Sequence, residues 1–326
     1  MPFTLTRPRL YYERSGTGEP LLFITGFTIS AAVFEPILPL YEPKFMCITY
    51  DNRGSGRSAA PPRLTSMPEL AADARRVLDA LNIDSAHVYG VSMGGMIAQE
   101  LAIRFPERVR GLILGGTWHG GPRAIRPALR DLAGLGAATT QALRQPGRPY
   151  LASALFSADF RRRQPERVRE LLEPFRRHRA PPQGVLAQWW ATVYHDTFSR
   201  LGLIRAPTLV MHGELDAIAP LANARLLAKR IPDAELAVVP ASGHAYGLER
   251  PQESLALLLG WLEQHGPIAA GPPRTGAGAR FEPVTRRLGL PIGALRTGAS
   301  LVGLASDRRR QRALGASTGV TEDPLS

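Results

Sequence analysis

Apolar residues along this chain recur with two different spacings, and the alternation between them predicts the architecture. Short runs in which nearly every residue is apolar read as strands: Leu21–Thr25, Phe45–Tyr50, Ala86–Val91, Val109–Gly115, Thr208–Met211 and Glu235–Val239. Segments with apolar residues at helical spacing fall between or after them: Met67–Leu81, Gly94–Phe105 stopped by Pro106, Leu221–Arg230 and Pro251–His265. Strands alternating with helices imply parallel pairing, and wholly apolar strands imply a sheet covered on both faces. The first segment differs: Leu10–Tyr12, a turn at Ser15–Gly18 and Leu21–Thr25 read as strands running antiparallel.

The alternation stops between Thr117 and about Ile204. That stretch has helical spacing, many arginines and prolines at 122, 127, 146, 149, 165, 174, 181 and 182, and it predicts a helical cap inserted into the sheet. Residues 1–117 and 205–265 are then the core, and 118–204 the cap. From Gly266 the composition turns to Gly, Pro and Ala, which cannot build a core, so residues 266–326 read as a basic, disordered extension. Its block 281–314 is also the one place where contact with a membrane or partner protein is expected, if anywhere.

Charge refines this division. The net +12 is local: residues 118–182 hold 13 basic and 5 acidic side chains, whereas residues 1–117 hold 12 and 11. Of the 40 basic residues 38 are Arg, and no nucleic-acid module accompanies them, so no nucleic-acid partner is expected. No apolar run approaches the roughly 18 residues needed to cross a bilayer. The opening MPFTLTRPRLYYER lacks the apolar stretch of a secretory signal. The lone Cys47, in FMCIT, reads as a buried small hydrophobe. The expected location is cytoplasmic.

The strongest chemical signal is Gly90-Val91-Ser92-Met93-Gly94-Gly95, between the strand AHVYG and the helical GGMIAQELAIRF. A strand that turns into a helix within a few residues forces the central serine into strain, and the flanking glycines let backbones pass closely. The serine hydroxyl then stands at a helix N-terminus, whose partial positive charge favours a developing anion. A serine needs a base, and the base an orienting acid. In the order Ser, acid, His the candidates are Asp216 in His212-Gly213-Glu214-Leu215-Asp216, and His244 in Ala241-Ser242-Gly243-His244-Ala245, each just after a strand. Glu214 is the weaker acid because it lies two residues closer to its strand. Two backbone N–H groups are expected to form the oxyanion hole, those of Phe27 and Met93. Thr28, His119, Trp189 and Tyr246 are candidates for the substrate pocket.

These motifs resemble the α/β-hydrolase family over roughly residues 10–265. TGFTIS, DNRGSGRS, GVSMGGMIAQELA, GELD and GHAYGLERP are similar to the esterase and lactonase branch, and GVSMGGMIAQELA to 3-oxoadipate enol-lactonases and polyketide methylesterases. The resemblance implies an α/β fold with a mostly parallel eight-stranded sheet flanked by helices, and a helical lid over the triad. It also implies a cofactor-free serine hydrolase of a small or medium ester or lactone. Carbon–carbon bond hydrolases and cofactor-free perhydrolases share such a triad, and a catalytically silent ligand-binding protein could share the fold. Where that family's oxyanion loop usually begins His-Gly, this one begins Thr25-Gly26. The stretch Gly54-Ser55-Gly56-Arg57-Ser58-Ala59 mimics a dinucleotide-binding loop, but Pro61-Pro62 defeat the helix such a site needs. In the resembled family it is a structural turn. No cofactor and no metal site are expected.

Overall fold

A computed structural model describes residues 2–60, 63–127 and 149–265, the last segment without the side chains of 149 and 150. Residues 128–148 of the expected cap and the whole expected extension 266–326 lie outside the described residues. Seven strands form one sheet: β1 (Tyr12–Ser15), β2 (Glu19–Ile24), β3 (Phe45–Tyr50), β4 (Ala86–Val91), β5 (Val109–Gly115), β6 (Thr208–Gly213) and β7 (Ala234–Val239). Their order across the sheet is β1-β3-β2-β4-β5-β6-β7. β1 is antiparallel to its neighbour β3, and every other pairing is parallel.

Two expectations change at the N-terminus. The described sheet has seven strands, not eight, and the strand expected at Leu10–Tyr12 begins at Tyr12. The residues before it make only an isolated bridge, Phe3 to Tyr11. Pro2 and Pro8 have no N–H to give to a ladder. The Leu10 N–H is taken by the Thr4 hydroxyl at 3.0 Å instead of by a neighbouring strand.

Side-chain alternation along the strands divides the core into two layers. Leu22, Ile24, Ile48, Val88, Leu112, Leu114 and Val210 face the layer that contains Leu70, Val77, Ile97, Leu101 and Leu227. Those belong to α2 (Met67–Ala80), α3 (Met93–Arg104) and α8 (Leu221–Arg230), the last numbered after the cap helices below. Leu21, Phe23, Cys47, Ile113, Leu209 and Met211 face the other layer, with Leu258 and Trp261 of α10 (Pro251–His265). Each fully buried Leu, Ile or Val contributes roughly 1.5–3 kcal/mol. Burial pushes the Cys47 thiol up to about 12, which keeps it protonated as a core residue.

The short α1 (Leu38–Tyr41) follows β2. The described part of the cap is helical, as its pattern predicts: α4 (Pro149–Leu155), α5 (Ala158–Arg163), α6 (Pro165–Leu172) and α7 (Pro182–Val193), then a 3-10 turn at Phe198–Leu203. Leu155, Phe156, Phe160, Val168, Leu171 and Leu172 join the same apolar layer as Phe23 and Met211, so cap and sheet share a core. The short α9 (Tyr246–Glu249) precedes α10. No helix among the described residues is long and apolar enough to cross a membrane.

Candidate active site

Ser92 sits between β4 and α3 with φ 58° and ψ −121°, the left-handed side of backbone space that a residue with a side chain rarely occupies. Packing enforces this strain. A Cβ on Gly94 would lie 2.1 Å from the Ile24 carbonyl oxygen, and one on Gly90 2.3 Å from that of Gly94. The Ser92 N–H donates to the Gly115 carbonyl at 2.8 Å, and its own carbonyl accepts the Thr117 hydroxyl at 2.7 Å. The elbow is therefore clamped to the C-terminal end of β5.

That same end of β5 carries the acid and base. A Cβ on Gly116 would lie 3.3 Å from His244 Nδ1 and 3.4 Å from Asp216 Oδ2, so the three candidate residues gather around Gly115–Thr117. His244 Nδ1–H donates to Asp216 Oδ2 at 2.8 Å, in a pair that is nearly fully buried. A carboxylate only accepts, so this bond puts the proton on Nδ1 and leaves Nε2 with a lone pair. Asp216 Oδ1 accepts two backbone N–H groups, from Ile218 and Ala219, at 2.8 Å each. Glu214 is occupied elsewhere: it accepts the Ala241 N–H at 2.9 Å.

The expected oxyanion donors are Met93, next to the serine in the chain, and Phe27, next to a residue packed on it. Met93 is the first residue of α3, where an N–H has no acceptor within the helix. Phe27 follows Gly26, and a Cβ on Gly26 would come 3.7 Å from Ser92 Oγ. Thr25 shapes this loop by giving its hydroxyl to the Ile29 carbonyl at 3.0 Å. Asn52 Nδ2 donates to both the carbonyl and the hydroxyl of Thr25 at 3.1 Å.

The four pocket candidates divide. Thr28 belongs to the loop after β2, half-buried, with φ 61°. Tyr246 is fully buried beneath the site, its hydroxyl 2.8 Å from that of Tyr89, so it packs rather than lines an opening. His119 is also fully buried, its ring edge-on to Phe198 at 4.8 Å between centroids. Burial lowers its pKa. Trp189 is 51% exposed on α7. In the dinucleotide-like loop the Arg57 N–H is taken by the Asp51 carboxylate at 2.7 Å, which also accepts the Ala31 N–H at 2.6 Å. No group of three or more potential metal ligands occurs among the described residues.

Three further residues hold the site in place. His212 Nε2–H donates to the Ala219 carbonyl at 2.6 Å and lies 3.3 Å from Asp216 Oδ2, so it braces the acid; burial lowers its pKa. Glu249 accepts the Gly243 and Ser157 N–H groups at 3.0 and 3.1 Å and the Ser157 hydroxyl, tying the loop before His244 to the cap. Gln188 reaches from α7 to the loop after β2, with its Oε1 accepting the Thr28 N–H at 2.7 Å. Glu249 is five residues past His244 and could have been suspected from that spacing. Gln188 carries no local signal, because its partner lies 160 residues away.

Comparison with known proteins identifies the fold family. Residues 19–251 match the family described as alpha/beta hydrolase fold. The chain is 31% identical over 253 residues to a protein of Azorhizobium caulinodans provisionally named a carbamate hydrolase, RutD, covering 77% of this chain and 94% of that one. It is 30% identical over 264 residues to the pimeloyl-[acyl-carrier protein] methyl ester esterase of Chromobacterium violaceum, covering 78% and 98%. Among solved structures it is similar to Est816, described as an N-acyl homoserine lactone degrading enzyme, with a TM-score of 0.64, 32% identity and coverage of 79% and 99%.

Proposed function

Because the chain belongs to the alpha/beta hydrolase fold family, whose hydrolase relatives include an esterase and a lactone-degrading enzyme, we propose that it is a serine hydrolase of a small or medium carboxylic ester or lactone. The observation that carries this reading is the buried Asp216–His244 pair beside a strained serine at a helix N-terminus. With its Nδ1 proton committed to Asp216, His244 is left with Nε2 as the base that takes the proton from Ser92 Oγ. Ser92 then attacks the carbonyl, and the N–H groups of Phe27 and Met93 stabilise the oxyanion. His244 returns the proton to the leaving alcohol, and next activates water to hydrolyse the acyl-enzyme. No cofactor or metal takes part in these steps. The names of the relatives, a provisional carbamate hydrolase, a methyl ester esterase and a lactone-degrading enzyme, support a substrate with an ester-like carbonyl.

The test is a panel of 4-nitrophenyl esters and lactones of increasing acyl length, run on wild type and Ser92→Ala. Turnover is expected on at least one short or medium member, and Ser92→Ala is expected to lower it by about 10⁴-fold or more, because members of a triad act as a unit. Near-wild-type turnover by Ser92→Ala would exclude the mechanism.

A further inference from the structure

Gln188 is fully buried on α7 and uses both ends of its amide. Oε1 accepts the Thr28 N–H at 2.7 Å, and Nε2 donates to the Arg53 carbonyl at 2.9 Å. α7 can approach this closely because two glycines meet: a Cβ on Gly184 would lie 2.0 Å from the Gly54 carbonyl oxygen. The peptide between Phe27 and Thr28 is thus held from both sides. Gln188 takes its N–H, and the Thr28 hydroxyl donates to its carbonyl at 2.7 Å. Thr28 itself is kept at φ 61°, a conformation it would leave without an external tether. The Phe27 N–H belongs to the preceding peptide, Gly26–Phe27, which is joined to this one through the φ and ψ of Phe27 alone, so fixing the second peptide narrows the directions open to the first.

We propose that Gln188 is a positioning residue through which the cap presets the oxyanion loop, aiming the Phe27 N–H at the place where negative charge develops. The assignment rests on the serine-hydrolase reading above. It makes α7 a fixed part of the catalytic scaffold. Oxyanion stabilisation depends on donors that are already oriented when the charge appears, so loss of the tether falls on the chemical step more than on ground-state binding.

The experiment compares wild type, Gln188→Met, Gln188→Glu and Ser92→Ala, as full chains, on 4-nitrophenyl butyrate, with a phenyl trifluoromethyl ketone as a probe of the tetrahedral oxyanion. Gln188→Met keeps the side-chain volume and removes both hydrogen bonds. It is expected to lower kcat by about 10- to 100-fold with KM changed by no more than about twofold, and to weaken the ketone by the same factor as kcat/KM. Gln188→Glu supplies a rescue. As a neutral acid it can accept from Thr28 and donate to Arg53, whereas as a carboxylate it cannot donate. The ratio of its kcat to that of wild type is therefore expected to rise as pH is lowered from 8 to 5.5. A merely structural role would lower the melting temperature of both variants, with kcat, ketone affinity and the pH ratio unmoved. That result, with Ser92→Ala inactive, would overturn the role of Gln188 and leave the nucleophile standing. Full turnover by Ser92→Ala would overturn both.

Discussion

The elbow around Ser92 and the loops that carry Asp216 and His244 face each other across β5, yet they are held in opposite ways. The elbow is fixed by exclusion: at Gly90 and Gly94 there is no room for one more carbon. The acid–base side is fixed by a web of polar side chains. Asp216 is braced by His212 and two backbone N–H groups, and the loop before His244 is tied by Glu249 to Ser157 in the cap. Steric exclusion and polar bracing fail differently, so substitutions on the two sides are expected to separate activity from stability.

The largest effect is expected on the polar side. Asp216→Asn exchanges a pure acceptor for a group whose amide can face His244, which favours the wrong tautomer. Activity on the best panel ester is expected to fall by about 10³- to 10⁴-fold in a chain that still folds, as checked by steady-state kinetics and circular dichroism. Glu214→Gln, whose carboxylate meets only the Ala241 N–H, is expected to stay within about threefold of wild type. The reverse pattern would make Glu214 the acid.

Gly94→Ala tests the other side. Its Cβ has only backbone to collide with, so the elbow must open or the helix must shift. The expected loss is about 3 kcal/mol or more of stability, read as a lower melting temperature or an insoluble chain. An unchanged melting temperature would show that the elbow is not held by exclusion.

Polar webs also bring pH dependence, and the cap holds a second one. His195 is buried near Glu100, Arg200, Asp196 and His119, and burial, the largest cause, lowers its pKa to about 4. In the unfolded chain it would titrate near 6.5. As pH falls through the window from about 6.5 to about 4, the unfolded state takes up a proton that the folded state refuses, so stability is lost. The full loss is about 3 kcal/mol. Melting temperatures measured from pH 7.5 to 4.5 are expected to fall less steeply in His195→Gln than in wild type. Identical slopes would mean that His195 is not the group responsible.

The smallest effect concerns the charged outer face of the cap. Its excess of arginine invites the idea that it steers anionic substrates, but most of the described cluster is already paired. Arg162 and Arg163 meet Asp159, Arg167 meets Glu170, Arg169 meets Glu166, and Arg177 meets Glu35. Exposed pairs of this kind are weak, and salt screens the net positive charge that the cap retains. The kcat/KM of a carboxylate-bearing ester and of a neutral ester are expected to change with salt by factors that agree within about twofold. A much steeper fall for the anionic ester would restore steering.

The same contrast explains what could be read in the sequence. Exclusion writes itself as glycine spacing, so Gly90, Ser92 and Gly94 announce a strand–turn–helix elbow. The apolar runs place six strands to within about a residue or two. Asp216 and His244 are legible because each follows such a run. The bracing residues are not, because glutamate, glutamine and serine occur everywhere and their partners are distant: 92 residues separate Ser157 from Glu249. His195, within the stretch whose pattern predicts helix, lies in the loop beyond α7, which ends at Val193. His119, a pocket candidate by position, is instead turned against Phe198. The later start of the first strand was hidden for a related reason: two prolines and one threonine hydroxyl divert the residues before Tyr12 from the ladder.

The proposed role of Ser92 as nucleophile is tested most directly by covalent capture. The full chain is incubated with a fluorophosphonate, digested, and mapped by peptide mass, alongside Ser92→Ala and His244→Ala. The label is expected on Ser92 alone, absent from Ser92→Ala, and slowed by at least about 10³-fold in His244→Ala. A label on another residue, or an unmodified Ser92 in a chain whose ester turnover has been abolished by the reagent, would contradict the account.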